Sequence, residues 1–293
     1  MATGKNNPEP LAPPAARVCG LEPAPDIAYR SYVLLFKSIL KFKKEGGLSD
    51  KRGAKRYPIG PKFPLKAKVT LLGHDGEGRP LPPGHASSMD WGGQLSNLSG
   101  TGASIKLHPA AVANKGEDCR LKLELDDKLF EIDGVIVQFW SNQQFATCGI
   151  MLKFPNFQSQ KAYLQLLEPL AIGCGLEAVE RVKQDTKGLI KEQYLGEDET
   201  VFSVWRSEDS KAIEHFEMLM LDYCVRGSAQ TPGLQIGYRD GAKVGRKVAN
   251  PAMPINLGAG QMAEVRQLFE WVVHNFSKAV PADVRAFVER FFS

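Results

Sequence analysis

The sequence predicts an α+β protein: an antiparallel β-barrel followed by a helix, then a C-terminal mixed α/β domain. Three observations carry this. Residues 65–154 break into short runs that alternate or collect β-branched and aromatic residues, with no helical period between them. A helical rhythm returns at "NFQSQKAYLQLLEPL", residues 156–170. After residue 176, helix-like and strand-like windows mix. Consecutive strands without crossover helices close most simply as an antiparallel barrel.

In chain order, residues 1–25 are rich in Pro and Ala without a hydrophobic period and read as a disordered lead-in. Residues 26–47 predict a basic amphipathic helix. Tyr29, Tyr32, Val33, Phe36, Ile39 and Leu40 fall on one face, Asp26 is placed to cap the start, and Gly46-Gly47 end it. Such a helix docks on its own domain or lies on a membrane surface.

The barrel domain is expected over residues 48–172. Its strands are "LKAKVTLL" (65–72), part of 87–96, "ASIKLH" (103–108), "CRLKLELD" (119–126), "LFEIDGVIVQFW" (129–140) and "FATCGIMLKF" (145–154). Turns are marked by Asp126-Asp127 and by "SNQQ" at 141–144, and the Gly/Pro-rich 73–85 is expected as a surface loop. The remainder, 173–293, predicts helices over 176–195 and 211–226, strands at 200–206 and 233–238, and helices over about 260–278 and 282–292.

Composition narrows the function. The 293 residues are 43% hydrophobic and 24% charged, the balance of a globular protein. No run approaches the roughly 20 apolar residues of a membrane span, and the first residues lack a signal peptide's apolar core. Five scattered cysteines without CxxC or Cys/His spacing fit a reducing cytoplasm and no metal. The net charge is only +4, yet between residues 30 and 68 twelve lysines and arginines face only Glu45 and Asp50. That segment calls for an anionic partner: nucleic acid, a phospholipid surface or a phosphorylated small ligand.

Two motifs choose among these. Arg52 and Arg56 stand four apart in "KRGAKRYPIG", where Pro58 biases Tyr57 toward extended backbone. Two guanidinium forks in such a loop can wrap one ligand, gripping phosphate bidentately and guanine through O6 and N7. The second motif, "NLSGTG", holds Asn97 and Ser99 two apart, hence on one side of a strand end. Their short polar groups suit a purine edge or a phosphate oxygen, and Gly100 and Gly102 permit a tight turn.

An RxxxR, a strand and then [D/N]xSxxG leading into the next strand resembles the signature of the PilZ domain family. Here it stands as Arg52 to Arg56 and Asn97 to Gly102, over roughly residues 50–170, with Asn97 where the acidic form is common. The resemblance implies a six-stranded barrel with a following helix, acting as a bacterial receptor for cyclic di-GMP. It implies phosphate and guanine contacts from Arg52 and Arg56, guanine-side contacts from Asn97 and Ser99, and the turn from Gly102. It also implies a receptor that needs no cofactor, is not an enzyme, and signals to a protein partner through the C-terminal domain or helix 27–44.

Alternatives are a ligand-free PilZ-like interaction module and a nucleic-acid-binding barrel. The latter normally shows several aromatics for base stacking, whereas 51–68 offers Tyr57 and Phe63, so nucleic acid is not expected. A catalytic C-terminal domain has no motif behind it. "GYRDGAKVGRK" (237–247) lacks the order of a phosphate loop and reads as a basic surface turn. The five histidines show no ligand spacing, and "GEDET" (196–200) reads as an acidic turn. Trp91, Trp140, Trp205 and Trp271 are expected in the core or capping the barrel.

Overall fold

The computed structural model describes residues 55–75, 77–80, 90–239, 243–244, 247–248 and 257–292. The lead-in, the helix expected at 27–44, and Arg52 lie outside these residues.

Seven strands make the first sheet: β1 Arg56–Pro58, β2 Leu65–Asp75, β3 Asp90–Ser99, β4 Gly102–Leu107, β5 Glu117–Leu125, β6 Lys128–Ser141 and β7 Ala146–Lys153. Their order is β1-β3-β2-β5-β6-β7-β4, and β4 also pairs with β3. The ring β2 to β7 therefore closes as a six-stranded antiparallel barrel, and β1 adds to it along β3. Period-2 alternation drives the closure. Val69 and Leu71 of β2, Cys119, Leu121 and Leu123 of β5, and Cys148 and Ile150 of β7 all point inward and are buried, while Lys66, Lys68 and Lys122 point out or lie along the surface.

Helix α1, Phe157–Cys174, covers the barrel. It starts where Asn156 Oδ1 accepts the Ser159 backbone N–H at 2.9 Å. It buries Tyr163, Leu164, Leu166, Leu167 and Leu170, and the Tyr163 hydroxyl donates to the Ser99 carbonyl at 2.8 Å.

A second sheet follows in a plain meander, β8 Glu177–Ala178, β9 Leu189–Leu195, β10 Val201–Ser207, β11 Ile213–Met220, β12 Tyr223–Ser228 and β13 Gln235–Tyr238. A separate two-stranded pair, β14 Lys243–Val244 with β15 Lys247–Val248, precedes α2 Ala259–His274 and α3 Ala282–Glu289. Phe202, Phe216, Met218 and Val225 from this sheet meet Phe269, Val272, Val284 and Val288 from the two helices in a second core.

Two expected helices are strands. Residues 213–220 place Phe216, Met218 and Met220 on the buried face at period 2, and the chain reverses through Leu221 and Asp222 into β12. The turn needs a left-handed residue, and Leu221 supplies it at φ 53°. A leucine there hides the turn inside an apparently helical Met/Leu run. The window 176–195 likewise splits into β8 and β9, where sheet pairing overrides the helix preference of Lys, Glu and Gln. Part of the expected 73–85 loop is also strand, since β2 runs to Asp75 and the Asp75 carboxylate gathers the Glu77 and Arg79 amides behind it.

The helices of the two halves meet at a glycine. A Cβ built on Gly173 would lie 2.4 Å from the Val272 carbonyl oxygen and 2.9 Å from that of Asn275. Its backbone carbonyl accepts the Ser277 amide at 3.0 Å. Gly173→Ala is expected to cost about 1–3 kcal/mol of stability, the range for overpacking. Urea unfolding checks this, and an unchanged midpoint would show that the helices separate freely.

Candidate functional site

The site begins with a strand irregularity. Leu95 and Leu98 are three apart, yet both are buried and pair with the inward residues Ile105 and Ala103. The register shift between Leu95 and Asn97 makes this possible by absorbing Ser96 as an extra residue. Past the shift Asn97 stands opposite Ser104 and Ser99 opposite Gly102.

β1 lies along the other edge of this strand end, with Arg56 opposite Ser99, Tyr57 opposite Leu98 and Pro58 opposite Asn97. Two motifs some forty residues apart in sequence are thus adjacent strands. Arg56 is exposed and Asn97 is partly exposed. Ser99 is 5% exposed, and its hydroxyl donates to the Gly102 carbonyl at 3.3 Å, tying the ends of the turn together. A Cβ on Gly102 would stand 3.0 Å from the Ile150 carbonyl oxygen, so this position serves close strand approach.

The register extends the outer surface beyond the motifs. Asn97 is opposite Ser104, Ser104 opposite Gly149, and Gly149 opposite Gln138, giving one row across β3, β4, β7 and β6. One step along, Lys106 is opposite Thr147 and Thr147 opposite Trp140. Trp140 is 44% exposed, so it neither fills the core nor caps the barrel. Its ring meets Phe145 at 5.5 Å, and the Lys106 ammonium sits 4.9 Å from the Phe145 centroid. Motif reading missed Ser104, Gln138 and Trp140. Alternation along "VIVQFW" carries the signal, but a second register shift, between Ile136 and Gln138, breaks it.

On its other side the arginine loop is tied to the second half of the protein. Lys55 forms an ion pair and hydrogen bond with Glu197 of the 196–200 turn. Burial raises the Tyr57 phenol well above its ordinary range, with Glu197 adding to the effect. The Cys174 thiol bonds the Pro58 carbonyl at 3.4 Å, and burial pushes that thiol up to about 11 despite the pull of Lys55. The Gly60 amide donates to Asn275 Oδ1 at 2.9 Å, and Lys62 pairs with Glu289 at 2.6 Å. Among the described residues, no group of acidic, histidine or cysteine side chains is arranged to hold a metal ion, and no helix is long and apolar enough to cross a membrane.

Comparison with known proteins finds a family model that matches the barrel region. The PilZ domain model matches residues 50–168. Among solved structures, the PilZ domain of CeSA from a cellulose-synthesizing bacterium is 16% identical, with a TM-score of 0.28, covering 38% of this chain and 93% of that one. The PilZ domain of YcgR from Escherichia coli, solved with c-di-GMP, is 13% identical at a TM-score of 0.32, covering 41% and 92%. The PlzA protein of Borreliella burgdorferi, in complex with c-di-GMP, is 11% identical at a TM-score of 0.30, covering 69% and 90%. No curated protein matches the sequence.

Proposed function

We propose, from the match of the PilZ domain model to residues 50–168, that the protein is a non-catalytic, cytoplasmic receptor for cyclic di-GMP. The observation that carries this reading is the β1–β3 register, which pairs the exposed Arg56 with Ser99 and Pro58 with the partly exposed Asn97. Arg56, with Arg52 four residues upstream, supplies charge and planar donors for phosphate and guanine. Asn97 offers an amide to the guanine edge. The Ser99 hydroxyl fixes the turn and has acceptor capacity left for a ligand donor. Gly102 keeps that turn tight against β7.

Titration calorimetry of the full-length protein with cyclic di-GMP tests the reading. Micromolar or tighter binding is expected, and a folded protein that gives no binding would leave only a PilZ-like interaction module.

Transmission to a partner would run through the loop's second set of contacts. Lys55, bonded to Glu197, is the neighbour of Arg56 in the chain, so a ligand that draws Arg56 outward would compete with the ion pair for one segment. Glu197→Gln is expected to tighten cyclic di-GMP binding by up to roughly fivefold, matching the ~0.2–1 kcal/mol of an exposed pair. Weaker binding in that variant would instead make the pair part of the bound arrangement.

A further inference from the structure

A groove of about 490 Å3 lies between the β5–β6 hairpin, α1 and α2, and neither Arg56 nor Asn97 lines it. Its apolar lining is Leu125, Leu129, Phe130, Leu166, Leu268 and Trp271, with Leu129 62% exposed. An exposed leucine at the mouth of an apolar cleft marks a surface built to be covered. The charged groups at the rim are Lys128, Lys161 and Glu264.

The unusual group is Glu168, which also lines the groove. It is 2% exposed, and its Oε1 has no hydrogen-bond partner among the described residues. Burial pushes this carboxyl up to about 8, and the charge of Asp198 adds to the effect. An unpaired carboxyl in such a place is costly unless a donor or a cation reaches it.

We propose that the groove is the docking site of residues 27–44 of the same chain, with their apolar stripe seated in it and one of their lysines reaching Glu168. Three facts select this occupant. The stripe of Tyr29, Tyr32, Val33, Phe36, Ile39 and Leu40 offers the apolar face that the groove lacks. Lys37, Lys41, Lys43 and Lys44 follow with no acidic residue before Glu45, and a cation is what Glu168 is missing. Glu264 adds a second carboxylate among the groove's lining residues, alongside Lys128 and Lys161.

The chain also arrives at the right place. Lys55 is bonded to Glu197, and the next residue, Asp198, is close enough to act electrostatically on Glu168. The stretch from Lys44 to Lys55 spans about 36–40 Å when extended, at ~3.3–3.6 Å per residue. The occupant is therefore tethered beside its groove, which raises its effective concentration there. This inference stands apart from the ligand reading, since neither Arg56 nor Asn97 contributes to the groove.

Amide hydrogen exchange on the ligand-free, full-length protein tests it. Residues 27–44 are expected to be protected. Leu129→Glu, an exposed position whose change leaves the barrel intact, is expected to lower that protection by at least roughly tenfold, as burying a charge in place of a leucine would. Unaltered exchange within β5 and β6 verifies the barrel in the variant. An unprotected segment in the wild-type protein overturns the proposal, as does protection that Leu129→Glu leaves unchanged. Protection that rises with protein concentration would assign the groove to a second copy and overturn it equally.

Discussion

Replacing Arg56 with alanine is expected to weaken cyclic di-GMP binding roughly tenfold to a hundredfold, the equivalent of the ~1.5–3 kcal/mol carried by a hydrogen bond to a charged group. The fold should survive the change. The Arg56 side chain is exposed, and β1 is held by its backbone pairing to Leu98 and Ser99 and by the buried ring of Tyr57, none of which needs a guanidinium. Arg56→Lys separates charge from geometry. If the planar fork matters, lysine recovers little of the lost affinity, because a point charge cannot bind bidentately. Calorimetry on both variants, with thermal melts as the control, decides the matter. Wild-type affinity in Arg56→Ala would mean that the ligand, if bound at all, sits elsewhere.

The largest expected effect on stability lies at Phe216. Its ring is 1% exposed and packs against four others, at 6.1 Å from Phe202, 5.8 Å from Phe269, 6.2 Å from Phe287 and 5.5 Å from Phe291. It joins the C-terminal sheet to both of the helices that cover it. Phe216→Ala should cost about 3–5 kcal/mol, the range for removing a buried aromatic ring and leaving a cavity. Guanidinium unfolding followed by tryptophan fluorescence would register this, because Trp205 lies in β10 and Trp271 in α2. A loss below about 1 kcal/mol would mean that the neighbouring rings collapse into the space.

The barrel was legible in the sequence because its inward residues keep period 2 over long strands. β5 reads as an uninterrupted alternation from Cys119 to Leu125, and its turn at Asp126-Asp127 uses residues that tolerate positive φ, as Asp126 does at 53°. The motifs were legible for another reason: arginine, asparagine and glycine stand at fixed short offsets. Their adjacency in space was not, since the β1–β3 pairing depends on the shape of the whole barrel. The outer row running through Ser104 and Gln138 was hidden by the two register shifts, each of which slips the alternation by one residue. In the C-terminal half, local propensity misled the reading. Met218, Leu219 and Met220 favour a helix on their own, and only pairing with β10 and β12 makes them a strand. Glu168 gave no signal at all, for a glutamate within a helical pattern normally faces water.

The contacts that hold the arginine loop bear on the order in which the protein is made. Gly60 is bonded to Asn275 across 215 positions, and Lys62 to Glu289 across 227. During synthesis a barrel can close once β7 has emerged, because its ring of strands ends there. Its recognition loop then has to wait for more than a hundred further residues before these two anchors exist. At the ~5–20 residues per second typical of synthesis, that interval lasts roughly ten seconds. A nascent chain in this interval would carry a finished barrel whose sensor loop lacks these two C-terminal anchors. The last two helices to be translated complete its attachment.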